Sequence, residues 1–259
     1  MPSKTIVFIH GMYMTPLCWE YWLPYFEAKG YRCLAPGWPG RDKPVEELRK
    51  KHPDPELGQL TLGRVIEHYA TLIRTLDEKP ILIGHSMGGL VVQLMLQRQA
   101  AVAGVAISSA PPQGVITAKW AFIRSNIPHI NPFTNQNIPI QMSLKRFQYT
   151  FANVLPLEQQ QAAFERYAVP ESRRVPVGAL TRTGRIAFRR PHPPLLLVAG
   201  SNDHLIPSAL IRTNWNRYKR SPSITDFMEF PGRSHFIIGQ EGWQEVADYI
   251  NVWLTDMEV

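Results

Sequence analysis

The chain has 259 residues, of which 44% are hydrophobic and 19% are charged, and its formal net charge is +7. This length and apolar content suit one large globular domain or two modest ones, and they exclude a disordered chain. The glycines lack the period of a collagen-like fibre. The two cysteines, Cys18 and Cys33, are too few for a disulfide framework, and we expect two separate thiols rather than a bridge.

Membrane-directing segments are not evident in the sequence. No apolar run approaches the roughly 18 residues that a membrane-spanning helix needs. Near the N-terminus the apolar run 6–9 is shorter than the about 7 residues of a secretory signal. We therefore expect a cytoplasmic protein without stable membrane insertion, although a leader removed by processing would leave no trace.

Short β-branched runs alternate with longer amphipathic stretches along the chain. Runs of this kind, bounded by Gly, Pro or Ser, are typical of parallel strands that are buried on both faces. We predict strands at residues 5–9, 31–35, 80–84, 102–108, 194–200 and 225–230.

The segments between these strands have helical patterns. The clearest spans residues 62–76, where apolar residues recur at spacings that place them on one helix face. Further helices are predicted at 87–99, 207–218 and 243–254. The repeated order of strand, helix and strand predicts an α/β fold with an open, mainly parallel sheet of about six strands flanked by helices.

The alternation stops after residue 110 and resumes near residue 191. The intervening residues 111–190, which we call the inserted segment, lack sheet patterning and are too long for an ordinary connection. We predict helices at 144–153 and 157–167 within it. The expected organisation is an α/β core of residues 1–110 and 191–259 that carries an inserted, mostly helical cap.

The positive charge is concentrated in the inserted segment. Residues 119–190 contain 11 Lys and Arg but three acidic residues, a charge of +8, whereas the rest of the chain carries −1. This block could steer anionic substrates or meet a negatively charged membrane surface, but a solvated face that keeps the protein soluble is favoured. No nucleic-acid-binding module is evident, so we expect no nucleic-acid partner.

The most informative motif is Gly-His-Ser-Met-Gly at residues 84–88. It follows a predicted strand and precedes an apolar helix, the context in which G-x-S-x-G forms a nucleophile elbow. The sharp turn lifts the Ser86 hydroxyl above the sheet and leaves the Met87 amide at a helix N-terminus, where it can bind a developing oxyanion. A phosphate-binding loop is the alternative, but the motif lacks the lysine and the glycine spacing of a P-loop.

With this motif the chain resembles the α/β-hydrolase superfamily over essentially its full length, in particular serine esterases and lipases with an inserted cap. In that family the triad follows the order serine, acid, histidine. The resemblance implies Ser86 as the nucleophile, Asp203 as the acid and His235 as the base, the last two just past the final two strands. Asp226, on the last strand, is a weaker candidate for the acid.

The resemblance also implies a second oxyanion donor. The sequence His10-Gly11 ends the first strand, and similar hydrolases place this donor on the next residue, here the Met12 amide. Tyr13 could add a hydroxyl donor. For His10 itself we favour a buried ring that bonds to loop carbonyls over any catalytic role.

Aromatic residues near this loop and near the base are the predicted substrate-binding walls. They are Trp19, Trp22 and Phe236, together with Tyr13. No metal-ligand spacing and no dinucleotide-binding fingerprint are present, so we infer no cofactor and no metal.

These features together predict a serine hydrolase that cleaves small apolar carboxylic esters through an acyl-enzyme intermediate. The same triad could instead serve a thioesterase, an amidase, a carbon–carbon bond hydrolase, a perhydrolase or a hydroxynitrile lyase. A ligand receptor of this fold that lacks turnover is the non-enzymatic alternative. We expect a monomer or a small homo-oligomer.

Overall fold

The computed structural model describes residues 3–130 and 134–259. Six parallel strands form one sheet, and each lies within one residue of its predicted bounds at either end. The strands are β1 (Thr5–Ile9), β2 (Arg32–Leu34), β3 (Ile81–His85), β4 (Ala103–Ile107), β5 (Leu195–Gly200) and β6 (Thr225–Phe230). The predicted fold class is confirmed.

The order of the strands in the sheet is β2-β1-β3-β4-β5-β6. The chain therefore leaves β1 toward one edge of the sheet and leaves β3 toward the other. Open α/β sheets bind ligands at such a switch point, outside the carboxyl ends of the strands. Ile9 pairs with Gly84 across β1 and β3, so the residues that follow both strands emerge side by side.

Helices flank the sheet and connect the strands. They are α1 (Trp22–Glu27), α2 (Val45–Lys50), α3 (Pro55–Gly58), α4 (Leu62–Arg74), α5 (Met87–Gln97), α6 (Trp120–Ile130), α7 (Leu144–Thr150), α8 (Leu157–Tyr167), α9 (Arg174–Ala179), α10 (Ser208–Tyr218) and α11 (Trp243–Asp256). The helices predicted between the strands correspond to α4, α5, α10 and α11. Among the described residues, no helix is both long and apolar enough to cross a membrane.

Helix α4 illustrates how the apolar pattern becomes structure. The Thr61 side chain caps its N-terminus by accepting a hydrogen bond from the Arg64 amide. Most of the predicted apolar stripe is buried, with Leu72 and Leu76 partly buried, whereas Arg64 is exposed. Helix α5 differs, because its residues are buried on every side from Met87 to Leu96, as expected for a helix packed on the centre of the sheet.

The inserted segment lies between β4 and β5 and contains α6, α7, α8 and α9. Of the two helices predicted there, α8 has the predicted bounds and α7 ends at Thr150. The only bridge pairing in the described part of this segment joins Ile140 to Glu171, outside the sheet. Helix α9 was not predicted because it contains Pro176 and Gly178, which are poor helix formers.

Both cysteines are free thiols, with Cys18 buried and Cys33 partly buried, as expected.

Glycines allow β1, β3 and α5 to pack in direct backbone contact. A Cβ added to Gly88 would lie 2.1 Å from the Ile9 carbonyl oxygen, and one added to Gly84 would lie 2.3 Å from the Gly88 oxygen. Because backbone atoms cannot move aside as side chains can, any larger residue would push α5 away from the strands. This close packing places the start of α5 against the end of β1.

We expect Gly88→Ala to destabilise the protein by on the order of 3 kcal/mol, because the added methyl group overlaps backbone oxygen atoms. The matched control is Gly63→Ala in α4, where the nearest atom to an added Cβ is the Thr61 Oγ1 at 3.8 Å. That substitution should stabilise the protein by about 0.5–1 kcal/mol, the usual helical preference for alanine. Urea unfolding measures both, and equal effects of the two substitutions would contradict the close packing.

Candidate active site

Ser86 lies at the turn from β3 to α5 with a left-handed backbone, at φ 56° and ψ −118°. Such a conformation is strained for a residue other than glycine and persists only where the surroundings enforce it. The Ser86 amide donates to the Ile107 carbonyl at 2.9 Å, and the Ser86 carbonyl accepts from the Ala110 amide at 2.9 Å. The turn therefore has the strained strand-to-helix geometry of a nucleophile elbow.

Asp203 and His235 form a buried hydrogen-bonded pair. The His235 Nδ1 donates to the Asp203 Oδ2 at 2.7 Å, and neither side chain is exposed to solvent. The other Asp203 oxygen accepts from the amides of Leu205 and Ile206, at 2.8 and 2.7 Å. Hydrogen bonds from backbone amides stabilise a carboxylate in its charged form.

The alternative acid, Asp226, does not contact His235. Its Oδ2 instead accepts a hydrogen bond from the Trp253 indole at 2.7 Å. The structure thus places Asp203, and not Asp226, beside the histidine.

His85 connects the serine turn to the histidine. Its ring lies 4.7 Å from the His235 ring between centroids, and its Nε2 donates to the His235 carbonyl at 2.8 Å. The Nε2 of His235 is buried and has no hydrogen-bond partner within the described residues, so Ser86 is not hydrogen-bonded to it in this structure. An unpaired Nε2 on a ring that donates through Nδ1 is a free proton acceptor.

The loop after β1, residues 10–14, passes directly beside Ser86. A Cβ added to Gly11 would lie 2.8 Å from the Ser86 Cβ. His10 is stacked on Trp38, accepts from the Trp38 amide and donates to the Gly11 carbonyl. Burial lowers the pKa of His10 to about 3, so the ring stays neutral and holds the loop through both nitrogens.

Two backbone amides beside Ser86 donate no hydrogen bond within the described chain. They belong to Met12, in the loop after β1, and to Met87, the first residue of α5. Both methionine side chains are buried in the core. The next amide in the loop, that of Tyr13, does have an acceptor, the Glu171 carboxylate at 3.0 Å. The arrangement leaves free donors on both sides of the serine.

The side chain of Tyr13 is buried and meets the Phe151 ring edge-on at 6.5 Å. Burial raises the pKa of the Tyr13 phenol, which stays protonated over the working range of pH. Whether this hydroxyl contacts substrate stays a prediction.

Trp19 and Trp22 lie in an aromatic cluster that packs on β1. Trp19 contacts Phe8 and Trp22, and Trp22 stacks on Phe26 and donates to the Ile238 carbonyl. Neither tryptophan has any exposed surface. The structure therefore places both as packing residues of the core, and their role as pocket walls stays a prediction.

Phe236 lies where the core meets the inserted segment. Its ring contacts Tyr167 and Phe147, and its amide donates to the Phe151 carbonyl at 2.9 Å. Phe236 and Tyr167 line a cavity of about 490 Å³ between α8 and the start of α11. Ser86 is 6% exposed and does not line this cavity.

Phe151 is a site residue that the sequence reasoning did not single out. Its ring meets the His235 imidazole edge-on at 4.9 Å and stacks on Phe147 at 5.1 Å. The inserted segment thus covers the histidine with an aromatic side chain. No local signal marks this position among the many aromatic residues of the segment.

No group of three His, Cys, Asp or Glu side chains that could hold a metal ion is found within residues 3–130 and 134–259.

Comparisons with known proteins agree with this architecture. A model of the α/β hydrolase family matches residues 6–249. A monoacylglycerol lipase from Paleococcus ferrophilus has 18% identity and a TM-score of 0.68, with 99% of this chain and 96% of that chain covered. A pyrethroid hydrolase from Sphingobium faniae JZ-2 has 20% identity and a TM-score of 0.68, with 98% of each chain covered.

A variant of tomato methylketone synthase I has 13% identity and a TM-score of 0.71, with 99% of this chain and 100% of that chain covered. A comparison with curated proteins finds no match. At these identities the solved structures establish a common fold and nothing finer. The family match over nearly the whole chain, together with the sheet and the elbow, shows that the chain belongs to the α/β hydrolase family.

Proposed function

We propose that the protein is a serine hydrolase that cleaves carboxylic esters through an acyl-enzyme intermediate. The observation that carries this proposal is the buried Asp203–His235 pair. The His235 Nε2 has no hydrogen-bond partner within the described residues. The His235 ring also contacts His85, the residue before Ser86. The strained backbone of Ser86 supports it, because such strain is typical of nucleophile elbows. Membership of the α/β hydrolase family is consistent with this chemistry.

In the proposed mechanism, the Ser86 Oγ attacks the ester carbonyl while the His235 Nε2 takes its proton. Asp203 keeps the other ring nitrogen protonated and stabilises the imidazolium ion that forms. The amides of Met12 and Met87 bind the negative charge on the tetrahedral intermediate. His235 then returns the proton to the departing alcohol, and a water molecule activated in the same way releases the acid. The missing Ser86–His235 hydrogen bond would form with substrate bound, since such bonds are often long without substrate.

The surroundings of the histidine favour an apolar substrate. Phe151 covers the imidazole, and Phe147 and Phe236 lie behind it. Aromatic and apolar linings of this kind bind small apolar ligands, with a few polar groups to orient them. Two similar structures are a monoacylglycerol lipase and a pyrethroid hydrolase, which is in keeping with an ester substrate. We propose that the inserted segment acts as the cap over this site.

Ser86→Ala should lower turnover of a small nitrophenyl ester by on the order of 10⁴-fold or more, because no other nucleophile replaces the hydroxyl. The melting temperature should not change. The control is Ser221→Ala, in the loop that precedes β6 at the amino ends of the strands, whereas the proposed site lies at their carboxyl ends. It should leave turnover unchanged.

Retained turnover in the Ser86→Ala variant would remove the serine mechanism. If Ser86→Ala is inactive, a panel of esters, thioesters, β-diketones and cyanohydrins identifies the reaction. The proposal predicts that simple esters are the best substrates in the panel.

Replacement of the two candidate acids distinguishes their roles. Asp203→Asn should lower kcat by about 10⁴-fold, because an amide no longer holds the ring in the right tautomer or stabilises its charge. Asp226→Asn replaces the carboxylate that accepts from the Trp253 indole instead of from His235, and should leave kcat unchanged. A larger loss of kcat in Asp226→Asn than in Asp203→Asn would contradict the assignment.

A further inference from the structure

A buried ion pair connects the inserted segment to the core close to the proposed site. The Arg41 guanidinium lies 2.9 Å from the Glu171 Oε1, and the two side chains are 1% and 0% exposed. Arg41 also donates to the Pro170 carbonyl. Removing two charges from water is costly. The Glu171 Oε1 also accepts from the Ser172 amide at 2.7 Å, whereas the Arg41 Nε and Nη1 have no partner among the described residues.

The second carboxylate oxygen of Glu171 is hydrogen-bonded to the loop after β1. The Oε2 accepts from the Tyr13 amide at 3.0 Å, and the Tyr13 carbonyl accepts from the Val169 amide at 2.9 Å. Glu171 is itself fixed by two backbone hydrogen bonds with Ile140. The peptide groups on both sides of Tyr13 are thus held by one short stretch of the inserted segment.

Tyr13 needs this support because its backbone is left-handed, at φ 63°. A residue other than glycine is strained in such a conformation and stays there only if its neighbours hold it. A charged acceptor forms a stronger hydrogen bond to an amide than a neutral one does. The Glu171 carboxylate is therefore well suited to hold the strained peptide in place.

The orientation of the Tyr13 peptide affects the direction of the Met12 amide, the proposed oxyanion donor. The Tyr13 N–H belongs to the peptide that joins Met12 to Tyr13. The Met12 N–H belongs to the peptide before it and donates no hydrogen bond among the residues that the structure describes. These two adjacent peptides pivot on the shared Met12 Cα. Fixing the Tyr13 amide, as the hydrogen bond to Glu171 does, therefore limits how far the Met12 amide can rotate.

We propose that Glu171 is a positioning residue for the oxyanion donor: its buried carboxylate, paired with Arg41, holds the Tyr13 amide and so keeps the Met12 amide directed at the reacting carbonyl. This inference rests on the proposed function of the Ser86 site. It gives the inserted segment a role in the chemical step, through a contact to the loop after β1, in addition to covering the site.

Two double variants test this role while leaving no uncompensated charge in the interior. Both carry Arg41→Met, which is combined either with Glu171→Gln or with Glu171→Met. The glutamine retains an oxygen that can accept from the Tyr13 amide, whereas the methionine, of similar volume, has none. Replacing both charges of a buried pair is often tolerated, whereas leaving one unpaired is not.

With the nitrophenyl ester as substrate, the Glu171→Gln combination should keep kcat within about tenfold of the unmodified protein, because its neutral oxygen still accepts from the Tyr13 amide, although more weakly than a carboxylate. The Glu171→Met combination should lose on the order of 100-fold in kcat with KM unchanged, the behaviour of an interaction made in the transition state. A trifluoromethyl ketone, which binds as a tetrahedral adduct with an oxyanion, should lose affinity by a similar factor. If Glu171 had only a structural role, the Glu171→Met combination would lower the melting temperature without lowering kcat at an unchanged KM.

Equal kcat values in the two combinations would overturn the proposal. If the Glu171→Met combination does not fold, Glu171→Asp supplies the same test, because the shorter side chain keeps the charge for Arg41 but withdraws the oxygen from Tyr13. An unchanged kcat in that variant would also overturn it. Ser86→Ala assayed in parallel separates the two proposals. If Ser86→Ala is inactive but kcat is unchanged in the Glu171→Met combination or in Glu171→Asp, the positioning role of Glu171 is wrong and the serine mechanism stands.

Discussion

The hydrogen bond between Asp203 and His235 is the interaction on which the proposed chemistry depends. Because the Nδ1 donates to a carboxylate that is itself held by two amides, the proton on the neutral ring is confined to one nitrogen. The other nitrogen is buried and has no hydrogen-bond partner in the part of the chain that the structure describes. A buried acceptor without a partner is costly, and in an enzyme such a cost is acceptable where the group awaits a proton.

Backbone packing positions the serine elbow beside the loop after β1. Gly84 and Gly88 bring α5 against β1, so the elbow and the loop after β1 lie side by side at the switch point of the sheet. His10 and His85, both buried, connect these loops to their neighbours by hydrogen bonds. Burial lowers the pKa of both rings, so neither adds a charge beside the proposed base. The site is thus assembled from rigid elements, with its polar groups placed on the loops between them.

The parts of the molecule that could be predicted from the sequence are those set by local pattern. Strands buried on both faces, the stripe of α4 and the G-x-S-x-G turn each leave a signal within a few residues. Asp203 could be preferred over Asp226 only through the resemblance to a family, and the hydrogen bond to His235 supports that preference. Helix α9 was not predicted because its proline and glycine are poor helix formers, and it forms because tertiary packing overrides their low helical propensity.

Long-range contacts account for what the sequence did not reveal. Phe151 and Glu171 reach the site from the inserted segment, and Glu171 contacts Tyr13 across 158 positions of the chain. Trp19 and Trp22 are near the loop after β1 in sequence, yet they pack into the core, because proximity along the chain does not fix the direction of a side chain. One signal was present: Glu171 is among three acids in a strongly basic stretch, and an isolated acid there is a candidate for a buried ion pair.

The most direct test of the serine mechanism is a crystal structure of the protein after reaction with a fluorophosphonate. The account predicts phosphorus bonded to the Ser86 Oγ, with one phosphonyl oxygen within hydrogen-bond distance of both the Met12 and Met87 amides. A phosphonyl group on another residue, or one on Ser86 with its oxygens turned away from both amides, would contradict it.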